Sequence, residues 1–144
     1  ALNHEDAYRV STAEFNVGLE YLKLGLRLRA EGNPEGARGA FFKTLEEDPH
    51  CAEAMRNLVE IFWEEKVYPA VYTVALEFSK NNPDSARAYA YQGLAMKAMG
   101  HEEEALAAFG KMEALGATPE LEQMRDAGTP ISPEVEPPEK KRVE

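Results

Sequence analysis

The chain has 144 residues, with 16 lysines and arginines against 26 aspartates and glutamates and a formal net charge of −10. A field of that sign repels phosphate and argues against nucleic acid as a partner. The single cysteine, Cys51, excludes a disulfide framework and any multi-cysteine metal site, and no apolar run reaches the ~20 residues a membrane-spanning helix needs.

Residues 1–10 are polar and aperiodic, without a basic-then-apolar signal segment, and read as a flexible lead. Together with the lone cysteine this sets a cytoplasmic expectation. Ser11 followed by Glu14 has the spacing of a capping box, in which each side chain satisfies a free amide at a helix start. The helix it opens runs to about Glu31, with Phe15, Leu19, Leu22 and Leu26 on one side and Tyr21, Leu24 and Leu28 on another. Apolar residues spread that widely imply cover on more than one face. Gly32 stops it, Asn33 can cap the next helix, and Pro34 suits a first turn.

The second helix, about 34–47, carries Ala37, Ala40, Phe41, Thr44 and Leu45 at helical spacing. Gly36 and Gly39 weaken it, so close approach of a neighbouring backbone is their expected use. Asp48-Pro49 ends it, because a residue before proline avoids the helical region. A third helix, about 51–65, presents Met55, Leu58, Val59, Phe62 and Trp63; Pro69 opens a fourth that Asn81-Asn82-Pro83 breaks. The fifth runs from about Asp84 to Met99 and stops at Gly100, and the sixth, about 102–115, holds Ala105, Ala108, Phe109 and Met112. Thr118-Pro119 starts a short, charged seventh helix ending near Gly128. From Thr129 on, Pro130, Pro133, Pro137, Pro138 and Lys140-Lys141-Arg142 describe an unpacked tail. The domain reading is thus a lead (1–10), a helical body (11–128) and a tail (129–144).

The body repeats itself. A shift of 68 residues lays Tyr21 on Tyr89, Gly25 on Gly93, Leu26 on Leu94, Gly32 on Gly100, Ala37 on Ala105, Ala40 on Ala108 and Phe41 on Phe109; half that shift, 34, carries Pro49 onto Pro83. A 34-residue period of two helical stretches marks stacked helix hairpins, none able to bury its apolar face alone.

With these residues the chain resembles the tetratricopeptide repeat (TPR) family. The first repeat matches with Tyr21, Leu24-Gly25, Leu28, Ala37, Phe41, Thr44 and Pro49, and the third with Tyr89, Gln92-Gly93, Met96, Ala105, Phe109 and Met112. The middle repeat departs: Met55, Leu58-Val59, Phe62, Val71, Ala75, Phe78 and Pro83 exchange small and large positions while keeping the apolar volume. The resemblance implies an all-α, right-handed α-solenoid of three TPR-like hairpins with a short C-terminal capping helix. It also implies a concave groove lined by the first helix of each repeat, and a role in binding segments of other proteins.

The family's groove geometry, carried over, selects Leu19, Leu22, Lys23, Leu26 and Arg29 from repeat one. It selects Arg56, Asn57, Glu60 and Trp63 from repeat two, and Arg87, Tyr91, Leu94 and Lys97 from repeat three. With Glu53 and Glu64 the strip holds five basic and three acidic groups on a strongly acidic chain, which suits a partner with carboxylates and apolar anchors. A one-position register change would instead turn Leu22 and Leu26 into the core or beneath residues 1–10. The clamp by which some family members hold chaperone C-termini is matched only in part. Asn57 and Arg87 fit it, but Leu22, Leu26 and Tyr91 stand where polar or basic donors belong, leaving a carboxylate poorly satisfied.

No catalytic chemistry is expected, and neither cofactor nor metal. His50-Cys51 lies at a helix start where a thiol is favoured, yet adjacent residues diverge on a helix and no orienting group follows. His4, His50 and His101 have no ligand spacing, and Glu102-Glu103-Glu104 is favourable charge on a first turn. The expected function is therefore a protein-interaction scaffold, adaptor or chaperone-like module. The alternatives are self-assembly through the first repeat's apolar patch, or an accessory role in a secretion or pilus machine.

Overall fold

The computed structural model describes residues 17–130. The lead 1–10, the Ser11/Glu14 capping box, Phe15 and the tail beyond Pro130 lie outside the described residues. Seven helices follow one another: α1 (Val17–Ala30), α2 (Pro34–Glu47), α3 (Ala52–Glu64), α4 (Tyr68–Asn81), α5 (Ala86–Ala98), α6 (Glu102–Ala114) and α7 (Pro119–Ala127). No strand occurs among the described residues.

Local chemistry sets the boundaries. Asn33 Oδ1 accepts from the Gly36 amide at 3.0 Å with Pro34 in the first turn of α2, and Thr118 Oγ1 accepts from the Leu121 amide at 3.4 Å above Pro119. Ser85 Oγ accepts from the Ala88 amide at 3.2 Å, so α5 begins at Ala86, two residues beyond the expected Asp84. Gly32 and Gly100 end α1 and α5 with φ of +79° and +84°. Each is followed by an amide that reaches back, Asn33 N to Leu28 O at 2.9 Å and His101 N to Met96 O at 2.8 Å. Lys66 fills the same position after α3 with φ of +61°, and Val67 N reaches Phe62 O at 2.9 Å. A lysine there bears the left-handed strain that glycine avoids. Thr129, assigned by sequence to the tail, donates its amide to Met124 O at 3.2 Å, and Pro130 is buried; both belong to the end of α7.

The chain divides into two compact units, Ala1–Ile61 and Phe62–Glu144, with the boundary inside α3. In the first, α1 and α2 form an antiparallel hairpin: Gly18 lies beside Thr44, Glu47 and Asp48, and Gly25 faces Phe41. A Cβ on Gly25 would stand 2.5 Å from Phe41 Cε1, so glycine is required by the ring seated on it. Leu22, Ala37, Ala40, Phe41, Ala54, Met55, Leu58, Val59 and Ile61 are buried, as is Thr44, whose hydroxyl donates to Ala40 O at 3.0 Å. The glycines expected to admit a neighbouring backbone do not: Gly39 has nothing within 4 Å, and the nearest atoms to Gly36 belong to its own cap, Asn33.

In the second unit α5 is central and packs on α4, α6 and α7. Its Ala88, Ala90, Tyr91, Gln92, Gly93, Leu94 and Ala95 are buried in succession, which a helix shows only when neighbours cover several faces. Gln92 Nε2 donates to Ala75 O of α4 at 3.3 Å, and Phe109 of α6 sits against Gly93 as Phe41 does against Gly25. Leu121 and Met124 bury the inner face of α7.

Candidate functional site

The first unit brings together three of the residues singled out by sequence. Arg29, at the end of α1, donates from Nη1 to Asn57 Oδ1 at 2.7 Å and to Glu60 Oε1 at 2.9 Å, both on α3. Asn57 is only 4 % exposed and donates from Nδ2 to Glu53 O at 2.8 Å. This cluster is internal structure. Its guanidinium neutralises Glu60, and the asparagine that a carboxylate clamp would need is already engaged by Arg29.

Alongside it, Leu19 and Leu26 remain 44 % and 36 % exposed and Lys23, between them, is exposed and pairs with Glu20 at 3.7 Å. The spacing of these residues places them on one stripe of α1, and the Arg29–Asn57 contact sets the Arg29 end of that stripe against α3. Arg56, next to Asn57, is exposed. Leu22 is buried and belongs to the core, the outcome of the register alternative for that residue but not for Leu26.

In the second unit the expected groove residues of α5 are largely covered. Tyr91 is fully buried and Leu94 is 1 % exposed, so neither presents a surface; the expectation that they line an open groove is corrected. The physical reason is α7, which packs on α5 and extends Glu120 onto Arg87. Arg87 Nη1 donates to the Tyr91 hydroxyl at 2.9 Å, and its guanidinium lies 5.8 Å from that ring's centre. Burial acts to lower the Arg87 pKa, but the Tyr91 hydroxyl and the Glu120 carboxylate outweigh it and hold the guanidinium above its ordinary value. Trp63 is half-buried, its ring edge-on to Tyr68 with centres 4.8 Å apart, in the turn between α3 and α4. Lys97 is exposed and lines a hollow with Glu102, Ala105, Leu106, Phe109, Arg125 and Asp126.

Sequence reasoning passed over Glu113, Glu120, Leu121, Met124 and Arg125. Arg125 pairs with Glu113 of α6 and with Asp126 at 3.0 Å, and those carboxylates, Asp126 foremost, raise its pKa against a smaller opposing effect of burial. The signal was present: Glu120 stands 33 residues after Arg87, about one repeat on, where the first helix of a further repeat would begin. Among the described residues no group of three or more His, Cys, Asp or Glu could hold a metal ion, and no helix is long and apolar enough to cross a membrane.

Paired antiparallel helices, each locked by a phenylalanine on a glycine and repeated at a fixed interval, define an all-α solenoid of TPR-like helix hairpins. Solved structures share this fold. The N-terminal domain of stress-induced protein-1 (STI-1) from C. elegans matches with 18 % identity over 81 % of this chain and 97 % of its own, at a TM-score of 0.66. A crystal structure of MamA matches with 24 % identity over 86 % of this chain and 73 % of its own, at a TM-score of 0.61. No protein-family model and no curated protein sequence matches the chain.

Proposed function

We propose that this chain is a protein-interaction module that holds a partner segment on the exposed stripe of α1 beside α3. The observation that carries this reading is the line of Leu19, Lys23 and Leu26, apolar and basic side chains left open on an acidic protein, next to exposed Arg56. A partner segment with apolar residues and carboxylates fits it: the leucines supply desolvated contacts, and the cations steer and orient the acids. Arg29, Asn57 and Glu60 form the fixed wall of the stripe and do not themselves receive the partner. The role is holding, carried out in the cytoplasm by the helical body 11–128.

The test is a partner captured by the full chain and narrowed to a peptide. Leu26→Glu with Arg56→Glu is expected to weaken that peptide by about tenfold or more and to flatten the salt dependence of binding. Leu106→Glu on α6, equally exposed but remote in sequence, is the control and retains affinity. Unchanged affinity in the double variant removes the reading.

Self-assembly through the first repeat is supported by a different observation, a hollow lined by Val17, Glu20, Tyr21 and Leu24 on another side of α1. Light scattering across a concentration series separates the two. A monomer at all concentrations eliminates assembly and leaves the partner reading standing.

A further inference from the structure

We infer that the seat of α7 on α5 and α6 is a second interaction surface, built for an amphipathic helix of the order acidic, apolar, x, x, apolar, basic, with α7 as its resident occupant. This surface lies wholly within the second unit and does not depend on the stripe of α1.

The occupant itself specifies the chemistry. Glu120 pairs with Arg87, Leu121 and Met124 are buried, and Arg125 pairs with Glu113. Two apolar anchors three residues apart, flanked by opposite charges that meet opposite charges, form a helix-in-groove contact read from one stripe. Arg87 is prepared for the acid: the Tyr91 hydroxyl accepts one guanidinium nitrogen, and the other is left for the carboxylate.

Three features make this occupant displaceable. α7 has nine residues, short of the length at which a helix holds in water without tertiary support. It packs on α5 and ends in glycine at Gly128, φ +75°, and its ion pairs are solvent-accessible. The seat is also wider than the helix in it. The hollow beside Arg125 and Asp126 is bordered by Ala105, Phe109 and Leu106, the last 67 % exposed. A partner helix with a large apolar residue where α7 has Asp126 gains burial there that α7 cannot make. Elements of low local stability open without global unfolding, and a competitor binds in proportion to the open fraction.

The experiment uses the full chain and two labelled synthetic peptides read by fluorescence anisotropy: one with the sequence of residues 117–130, the other the same with Asp126→Leu. The receptor is the wild-type chain and a full-chain variant with Glu120→Ala, Leu121→Ala and Met124→Ala, which releases its own helix. The peptide is expected to bind the released variant about tenfold or more tightly than wild type, the affinity scaling with the open fraction. The Asp126→Leu peptide is expected to bind more tightly than its parent on both receptors, and Arg87→Ala in the released variant to remove the preference for Glu over Gln at position 120 of the peptide. No binding to a released variant that keeps its helical circular dichroism overturns the inference, and so does equal binding to both receptors or a dimer formed by exchange of α7. Should the released variant fail to fold, hydrogen exchange on the wild type decides. Faster exchange in Leu121–Gly128 than in α5 supports a displaceable helix, and identical rates refute it.

Discussion

Replacing Gly93 by alanine tests the joint between α5 and α6 directly. The new Cβ would stand 2.6, 2.7 and 2.8 Å from Cε1, Cδ1 and Cζ of Phe109, a ring only 7 % exposed. Ordinary carbon contacts lie near 3.5 Å, so ring or helix must retreat by close to an ångström, and a ring packed in the core has nowhere to swing. Overpacking of this kind costs ~1–3 kcal/mol, here toward the upper end, and alanine's better helix propensity returns about 1 kcal/mol. The net loss expected is about 1–2 kcal/mol. Gly110→Ala on α6 is the matched control: nothing lies within 4 Å of its added Cβ, so it keeps only the propensity gain. Urea titrations followed by circular dichroism should therefore place the two variants on opposite sides of wild type, about 2–3 kcal/mol apart. Phe109→Leu added to Gly93→Ala should recover part of the loss, the non-additivity expected of touching residues. Equal midpoints for Gly93→Ala and Gly110→Ala would show that the ring does not define this joint.

Lys66→Gly, at φ +61°, relieves a left-handed lysine and should stabilise the chain by about 0.5–1 kcal/mol in the same titration. Asn33→Ala removes the cap on the Gly36 amide and should cost about 1 kcal/mol. Arg29→Ala leaves the buried Asn57 oxygen and Glu60 without their donor and should cost about 1–3 kcal/mol, with a double-mutant cycle against Asn57→Ala showing positive coupling.

The hairpins were legible because their determinants are local. Glycines that take positive φ, prolines that break helices and the Gly25/Phe41 and Gly93/Phe109 pairs are all written at short range or at a fixed period. What escaped was the identity of partners across helices. That Arg29 turns to Asn57 and Glu60, or that Arg87 is claimed by Glu120, depends on which side chain reaches first, and periodicity does not encode reach. Gly39 misled for a related reason: its cost to the helix is visible in sequence, but the open space around it is not. Tyr91 and Leu94 were placed on the correct helix, and the unforeseen element was α7, whose short charged sequence does not announce the two side chains it buries.

The two glycine–phenylalanine joints lie 68 residues apart and agree to within 0.1 Å in the distances their missing methyl groups would make. They are interchangeable parts. A hairpin that fits its neighbour by one standard joint can be copied, deleted or exchanged as a cassette, and α7 already marks the splice point, since it begins where the next copy would. Length in such a chain is a number of parts, adjustable without redesigning any of them.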